Sequence, residues 1–298
     1  MLSGLQNYRE FCELRNVNPF PVNLDNLQLC LINVANKGKS IQVIERVVDS
    51  VIFSSNFLGW PLSSKDKIFK NILKCFQKIA IRKCNKKDGI ESKEIKILWD
   101  YVSASGGITK LTLTELRSFV MVNFCFHSLC WFSCVNNLKL SNLRYPPQYF
   151  EIVIPSSKTD QIGNGQETLL VKHEGMYDPH MLLCMYIQVL SPNGDDSYIF
   201  PPLKYDSSVK SWSYNNFKQM SYSAAYGAFK KFVSNFGLDP KTFSLHSPRV
   251  GGTTSLFQKN IPKRIIDKLG RWKSTRTKYI YGRDKKRYIA KQLMKKRF

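Results

Sequence analysis

LHSPRVGGTTSLFQKNIPKRIIDKLGRWKSTRTKYIYGR, residues 245–283, is the most informative stretch of this chain. It opens on His246-Ser247-Pro248-Arg249 and runs on through Val250-Gly251-Gly252-Thr253-Thr254. Trp272 follows Arg249 by 23 residues, and Tyr281 follows Trp272 by nine. Upstream, Lys158 lies in the polar run SSKTDQIGNGQE. Taken singly, each is ordinary: a histidine satisfied within a fold, a core or surface indole, a solvated turn lysine. Their order and intervals make them a constellation.

Outward from that stretch, the hydrophobic pattern marks the elements. The last fifty residues carry three helices, beginning near Ser247, Pro262 and Ser274. Residues 149–155 (YFEIVIP) alternate as a strand does, and Thr168 to Lys172 form its partner, with Gly163 and Gly165 turning the chain between them. Pro179 to Leu190 and Ser221 to Phe236 are helical. The apolar run Val120 to Val135 is a buried helix, because Asn123, His127, Ser128 and Ser133 make it too short and polar to span a membrane. Near the start, Leu27, Cys30, Leu31 and Val34 follow the helical i, i+3, i+4, i+7 spacing, and Ile44, Val47, Val48 and Val51 repeat it. Ile68, Ile72, Cys75, Phe76 and Ile79 mark a further helix. The basic stretch Arg82 to Asp88 is the linker. The expected fold is mainly α with a small β-hairpin or sheet (α+β): a helical domain over residues 1–85, then a mostly helical α+β domain over 90–298.

Composition narrows the function. Of 298 residues, 43% are hydrophobic, so the chain buries a real core and is neither a polyelectrolyte nor a disulfide miniprotein. The net charge is +23, from 45 Lys or Arg against 22 Asp or Glu. Such an excess repels itself in a compact fold and seeks a polyanion, most often nucleic acid. From Lys259 to Phe298 there are sixteen Lys or Arg and two Asp or Glu, which concentrates +14 in forty residues beside the constellation. The eight cysteines form no CxxC pair and no zinc-like cluster with histidine. They are expected to be small core hydrophobes in a reducing, intracellular compartment.

The stretch 245–283 resembles the HxxR, [HW] and Tyr run of the tyrosine recombinase (phage integrase) family, and SKTDQIGNGQ resembles its β-hairpin lysine. VGGTT…IPKRIIDKLGRWKS is most similar to recombinases of eukaryotic DIRS-type and Crypton-type mobile elements. The first part, in NYREFCELRNVNPFPVNLDNLQLCL and NKGKSIQVIERVV, resembles the family's core-binding domain. The resemblance implies that Arg249 grips two phosphate oxygens with its planar fork. It implies Tyr281 as the nucleophile that forms a 3′-phosphotyrosyl link, His246 as its proton acceptor and Lys158 as the acid for the departing 5′ oxygen. Trp272 would hydrogen-bond a phosphate oxygen and pack the tyrosine-bearing helix. Tyr279, two residues earlier, would face away from Tyr281 on a helix, and the +9 spacing favours Tyr281.

The resemblance further implies double-stranded DNA as the partner, no metal and no small-molecule cofactor, no membrane, and nuclear residence in a eukaryote. In the family a tail like GRDKKRYIAKQLMKKRF docks on a neighbouring protomer, so a dimer or tetramer on DNA is expected. One part of the pattern breaks. The family's first arginine lies in a phrase like GLRxSExxxLxxxD; aligning Ser133, Leu138 and Asn142 puts Trp131 at the arginine and Cys134 at the acidic residue. Losing a donor aimed at a charged transition state typically costs ~10²–10³ in rate. Lys139, Arg117 and Arg144 are the neighbouring cations that could substitute. An impaired or inactive DNA-binding descendant is therefore the alternative to an active recombinase.

Overall fold

Three helices begin the chain: α1 (Leu2–Glu13), α2 (Leu24–Asn36) and α3 (Ile41–Phe57). The computed structural model describes residues 2–63, 71, 73–76, 87–155 and 165–272. Asn23 starts α2 by accepting hydrogen bonds from the backbone N–H groups of Asp25 and Asn26, two donors that the first turn leaves without helical partners. Leu27, Cys30, Leu31 and Val34 of α2 are buried with Ile44, Val47, Val48 and Val51 of α3 and with Tyr8 of α1. The two apolar stripes expected from spacing are therefore the faces that form this core. Of the helix expected around Ile68 to Ile79, residues 71 and 73–76 are helical and the remainder lies outside the described residues.

The chain divides into two compact units, Met1–Lys86 and Lys87–Phe298. The second has its own, larger core. Lys87 and Asp88, expected at the end of a linker, belong to this unit: the Lys87 ammonium donates to the Lys241 carbonyl at 2.5 Å, and the Asp88 N–H donates to the Thr242 carbonyl at 2.8 Å. Helix α4 (Ser92–Ala104), bounded by a Glu91–Glu94 capping box, was not expected from spacing. Helix α5 (Leu113–Ser128) starts with a second capping box, Thr112 with Glu115, and almost every later residue of it is buried. Its polar side chains are satisfied: the Trp99 indole N–H donates to the Asn123 amide oxygen at 2.7 Å, and the Asn123 amide donates to the Phe119 carbonyl at 2.9 Å.

The expected continuous helix over Val120 to Val135 is corrected here. It stops at Ser128, Leu129 takes a left-handed φ of 50°, and a short helix α6 (Phe132–Val135) restarts after Trp131. A three-stranded antiparallel sheet follows in the order β1-β2-β3, with β1 (Leu143–Arg144), β2 (Tyr149–Ile154) and β3 (Gln166–Val171). Tyr149 faces Val171 and Ile154 faces Gln166. The inward residues Phe150, Ile152 and Ile154 are buried, as alternation predicts. Then come α7 (Pro179–Leu190), a hairpin of β4 (Leu203–Asp206) and β5 (Ser211–Tyr214) absent from the sequence expectation, and α8 (Tyr222–Asn235). Helices α9 (Ser247–Gln258) and α10 (Lys263–Gly270) close the described part. The third C-terminal helix and the tip of the β2–β3 hairpin lie outside the described residues.

The architecture is mainly α with small antiparallel sheets, as expected. Among the described residues no helix is long and apolar enough to cross a membrane. Cys12, Cys30, Cys125, Cys130 and Cys134 are buried as core residues, whereas Cys75 is exposed, against expectation.

Gly251 and Gly252 explain why α9 can sit where it does. A Cβ on Gly251 would collide with the Ile90 carbonyl, and one on Gly252 with the Phe126 carbonyl of α5. The helix is thus clasped on two sides by backbone, with no room for side chains. Ile90 also donates its N–H to the Ser247 carbonyl at 2.9 Å, tying the segment before α4 to the first turn of α9.

Candidate functional site

Arg249 lies in the first turn of α9, and Pro248 ahead of it suits that turn because its missing N–H would have had no helical acceptor. Ser244 and Ser247 lock the entry: the Ser244 N–H donates to the Ser247 hydroxyl at 2.8 Å, and the Ser247 N–H donates back to the Ser244 carbonyl at 2.8 Å. The guanidinium then meets the C-terminal ends of two other helices. Helix α5 ends at Leu129 (φ 50°) and α10 at Arg271 (φ 54°). Helix ends carry carbonyls without helical partners and the negative pole of the helix dipole. Arg249 Nη1 donates to the Leu129 carbonyl in a very short contact, and Nη2 donates to the Gly270 carbonyl at 2.7 Å.

The side chain is only 1% exposed. Two indoles flank it, with the guanidinium carbon 4.8 Å from the Trp131 ring centroid and 4.9 Å from that of Trp272. A bare buried cation costs several kcal/mol. Hydrogen bonds involving a charged group return ~1.5–3 kcal/mol each, and desolvated cation–π contacts up to ~2. Two of each are of the size needed to hold Arg249 charged inside the protein.

His246, at the N-cap of α9, stacks flat on Trp131, with centroids 4.1 Å apart and ring planes 13° apart. A second guanidinium reaches the same place. Arg271 Nη2 donates to the Leu129 carbonyl at 3.3 Å and contacts Cys130 Sγ at 3.7 Å, while Nη1 donates to the Leu269 carbonyl at 3.2 Å. From β3, the buried Thr168 hydroxyl bridges the Ser128 carbonyl (2.9 Å) and the Leu269 carbonyl (3.3 Å), pinning both helix ends to the sheet. An open hollow is lined by Gln166 at the root of the β2–β3 hairpin together with Arg271 and Trp272. Burial pushes the Cys125 thiol well above its usual range and the Cys134 thiol upward, so these neighbours remain protonated and chemically quiet.

Three of the five residues singled out from the sequence, His246, Arg249 and Trp272, are thus gathered with Trp131 around one buried cation. Lys158 and Tyr281, and the rival Tyr279, lie outside the described residues. The three cations considered as substitutes for the missing arginine are engaged elsewhere. Arg117 is buried and donates to the Pro201 carbonyl at 2.6 Å, Lys139 pairs with Asp196 at 2.9 Å, and Arg144 pairs with Glu151 and Glu167 at 3.4 and 3.5 Å. Arg271 was overlooked. Its only sequence signal was its place between Gly270 and Trp272, and helical spacing does not show that the chain turns left-handed there.

No family model matches the chain. It is 22% identical over 282 residues to an integrase/recombinase XerD homologue of Selenomonas ruminantium, covering 92% of this chain and 77% of that one. Among solved structures it is similar to the XerH site-specific recombinase bound to a palindromic difH substrate (TM-score 0.65, 15% identity, 95% of this chain and 75% of that one). It is also similar to a lambda integrase dimer bound to a COC′ core site (TM-score 0.58, 13% identity, 94% and 69%). A third likeness is to the Tn1549 transposon integrase in complex with circular intermediate DNA (TM-score 0.56, 12% identity, 93% and 94%). The fold is that of the tyrosine recombinases.

Proposed function

We propose that this chain is a DNA-binding protein of the tyrosine recombinase family that breaks and rejoins duplex DNA through a 3′-phosphotyrosyl intermediate on Tyr281. The observation that carries the reading is the buried Arg249, held by two helix ends and flanked by Trp272 and by the Trp131–His246 stack. The likeness of the whole chain to DNA-bound recombinases supports it. In this mechanism Tyr281 attacks the scissile phosphorus and passes its proton to His246. Lys158 protonates the 5′ oxygen as it departs, and Arg249 and Trp272 stabilise the charge on the equatorial oxygens. Residues 1–85 act as the core-binding domain. By analogy with the lambda integrase dimer, two or more copies assemble on one DNA site. The phrase VGGTT…GRWKS favours a mobile-element origin of the DIRS or Crypton type and a nuclear site of action.

A second reading rests on Trp131. Where an arginine is expected, an indole stacks on His246 and covers Arg249, which describes a DNA-binding descendant that no longer cleaves. A covalent trap separates the two. Nicked duplexes of randomised sequence are incubated with the unaltered protein, Tyr281→Phe and Trp131→Arg, and DNA that stays attached to protein after boiling in detergent is measured. An adduct from the unaltered protein that Tyr281→Phe abolishes establishes cleavage. An adduct only with Trp131→Arg establishes the inactive descendant.

A further inference from the structure

We propose that Arg271 supplies the second guanidinium of the phosphate site, an inference that rests on the DNA-binding reading above. Charge at phosphorus is shared by several oxygens, and one buried arginine with two of its donors committed to backbone carbonyls is a poor sole ligand for it. Arg249 is committed in that way and is 1% exposed. Arg271 also donates to two backbone carbonyls, yet it is better placed to reach a phosphate. It is half-buried, and it lines the open hollow with Trp272 beside the root of the hairpin that carries Lys158.

Its contacts are also looser, at 3.2, 3.3 and 3.7 Å, and they engage three of the five N–H groups a guanidinium carries. The remaining two can turn to a phosphate oxygen without breaking a short bond. The shared Leu129 carbonyl fixes the spacing of the pair, because Arg249 and Arg271 donate to the same oxygen. Arg271 takes a left-handed φ of 54° where α10 ends, and from that position its side chain reaches Leu129. The cations that sequence alone suggested, Arg117, Lys139 and Arg144, are occupied away from this place.

The test uses the full chain and a fluorescent random-sequence duplex, with affinity followed from 50 to 200 mM salt. Arg271→Gln should make the slope of log K against log salt shallower by about 0.9, the loss of one phosphate contact, whereas Arg271→Lys should restore it. If the unaltered chain forms the covalent adduct, both variants should cleave ~10²–10³-fold more slowly, since lysine keeps the charge and not the fork. An Arg271→Gln protein with the unaltered slope overturns the inference and leaves DNA binding standing. A chain that does not bind the duplex at all removes the underlying reading instead, and this shows before any variant is made. A measurement that needs no variant guards against misfolding: arginine modification by phenylglyoxal, read by mass spectrometry. Arg271 should react in the free protein and be protected by saturating duplex. Equal reaction with and without DNA overturns the proposal.

Discussion

On the proposed reading, Arg249 serves two purposes that point in opposite experimental directions. As a phosphate ligand it would be removed to abolish activity; as the link between the ends of α5 and α10 it holds the fold together. Arg249→Ala leaves the Gly270 carbonyl without its donor and the Leu129 carbonyl with only the longer bond from Arg271, at up to ~1–3 kcal/mol for each buried group. A urea titration of this variant should therefore show a stability loss of several kcal/mol, and DNA affinity should be compared only where both proteins remain folded. His246 and Trp131 form the second residue-scale unit. Trp131→Ala removes the ring on which His246 lies flat, and the imidazole should become mobile, as broadened His246 side-chain resonances would report. That Arg249, His246 and Trp272 belong together was legible from spacing alone. That Arg249 would be buried was not, because an HxxR motif says nothing of which carbonyls stand nearby.

At the scale of elements, α9 is held by closeness rather than by side chains. Gly252→Ala drives a methyl group into the Phe126 carbonyl, and overpacking of this kind costs ~1–3 kcal/mol or more. The loss should appear as a lowered thermal midpoint even though alanine is the better helix former. Helix α5 carries a second liability near its end. Burial, with His173 and Lys259 nearby, holds the His127 imidazole down to about 3, so the folded protein keeps it neutral while the unfolded chain takes up a proton near 6.5. Its contribution is complete above that value and is lost as pH falls toward about 3. Between pH 7 and 5 the unaltered protein should lose up to about 2 kcal/mol from this group, and His127→Gln should flatten that part of the urea-midpoint profile. Helix spacing located α2 and α3 well because each buries one apolar stripe. It failed at Leu129, where apolar residues on both sides of a left-handed turn hide the break. It also missed the β4–β5 hairpin, whose Tyr205 and Trp212 pair across the strands while more than half exposed, so no buried face announced it.

For the whole molecule, charge and core set the expectations. With +23 overall, a chain that contacts six phosphates should lose ~10³ in affinity between 50 and 200 mM salt, and a titration at three salt concentrations measures it. Residues 87–298 contain their own core, so that fragment should unfold in one cooperative transition. The fold class was visible from patterning because long-range burial follows apolar periodicity. The meeting of two helix ends around a cation depends on tertiary placement, which periodicity does not encode. That meeting has a consequence for how such genes age. On the proposed reading, a copy released from the need to cut DNA loses its nucleophile or its hairpin lysine cheaply, but discarding Arg249 strands the Gly270 carbonyl in the interior and leaves the Leu129 carbonyl to Arg271 alone. Selection for mere solubility is enough to preserve it, so an intact HxxR arginine in a descendant testifies to a sound scaffold and not to a living enzyme.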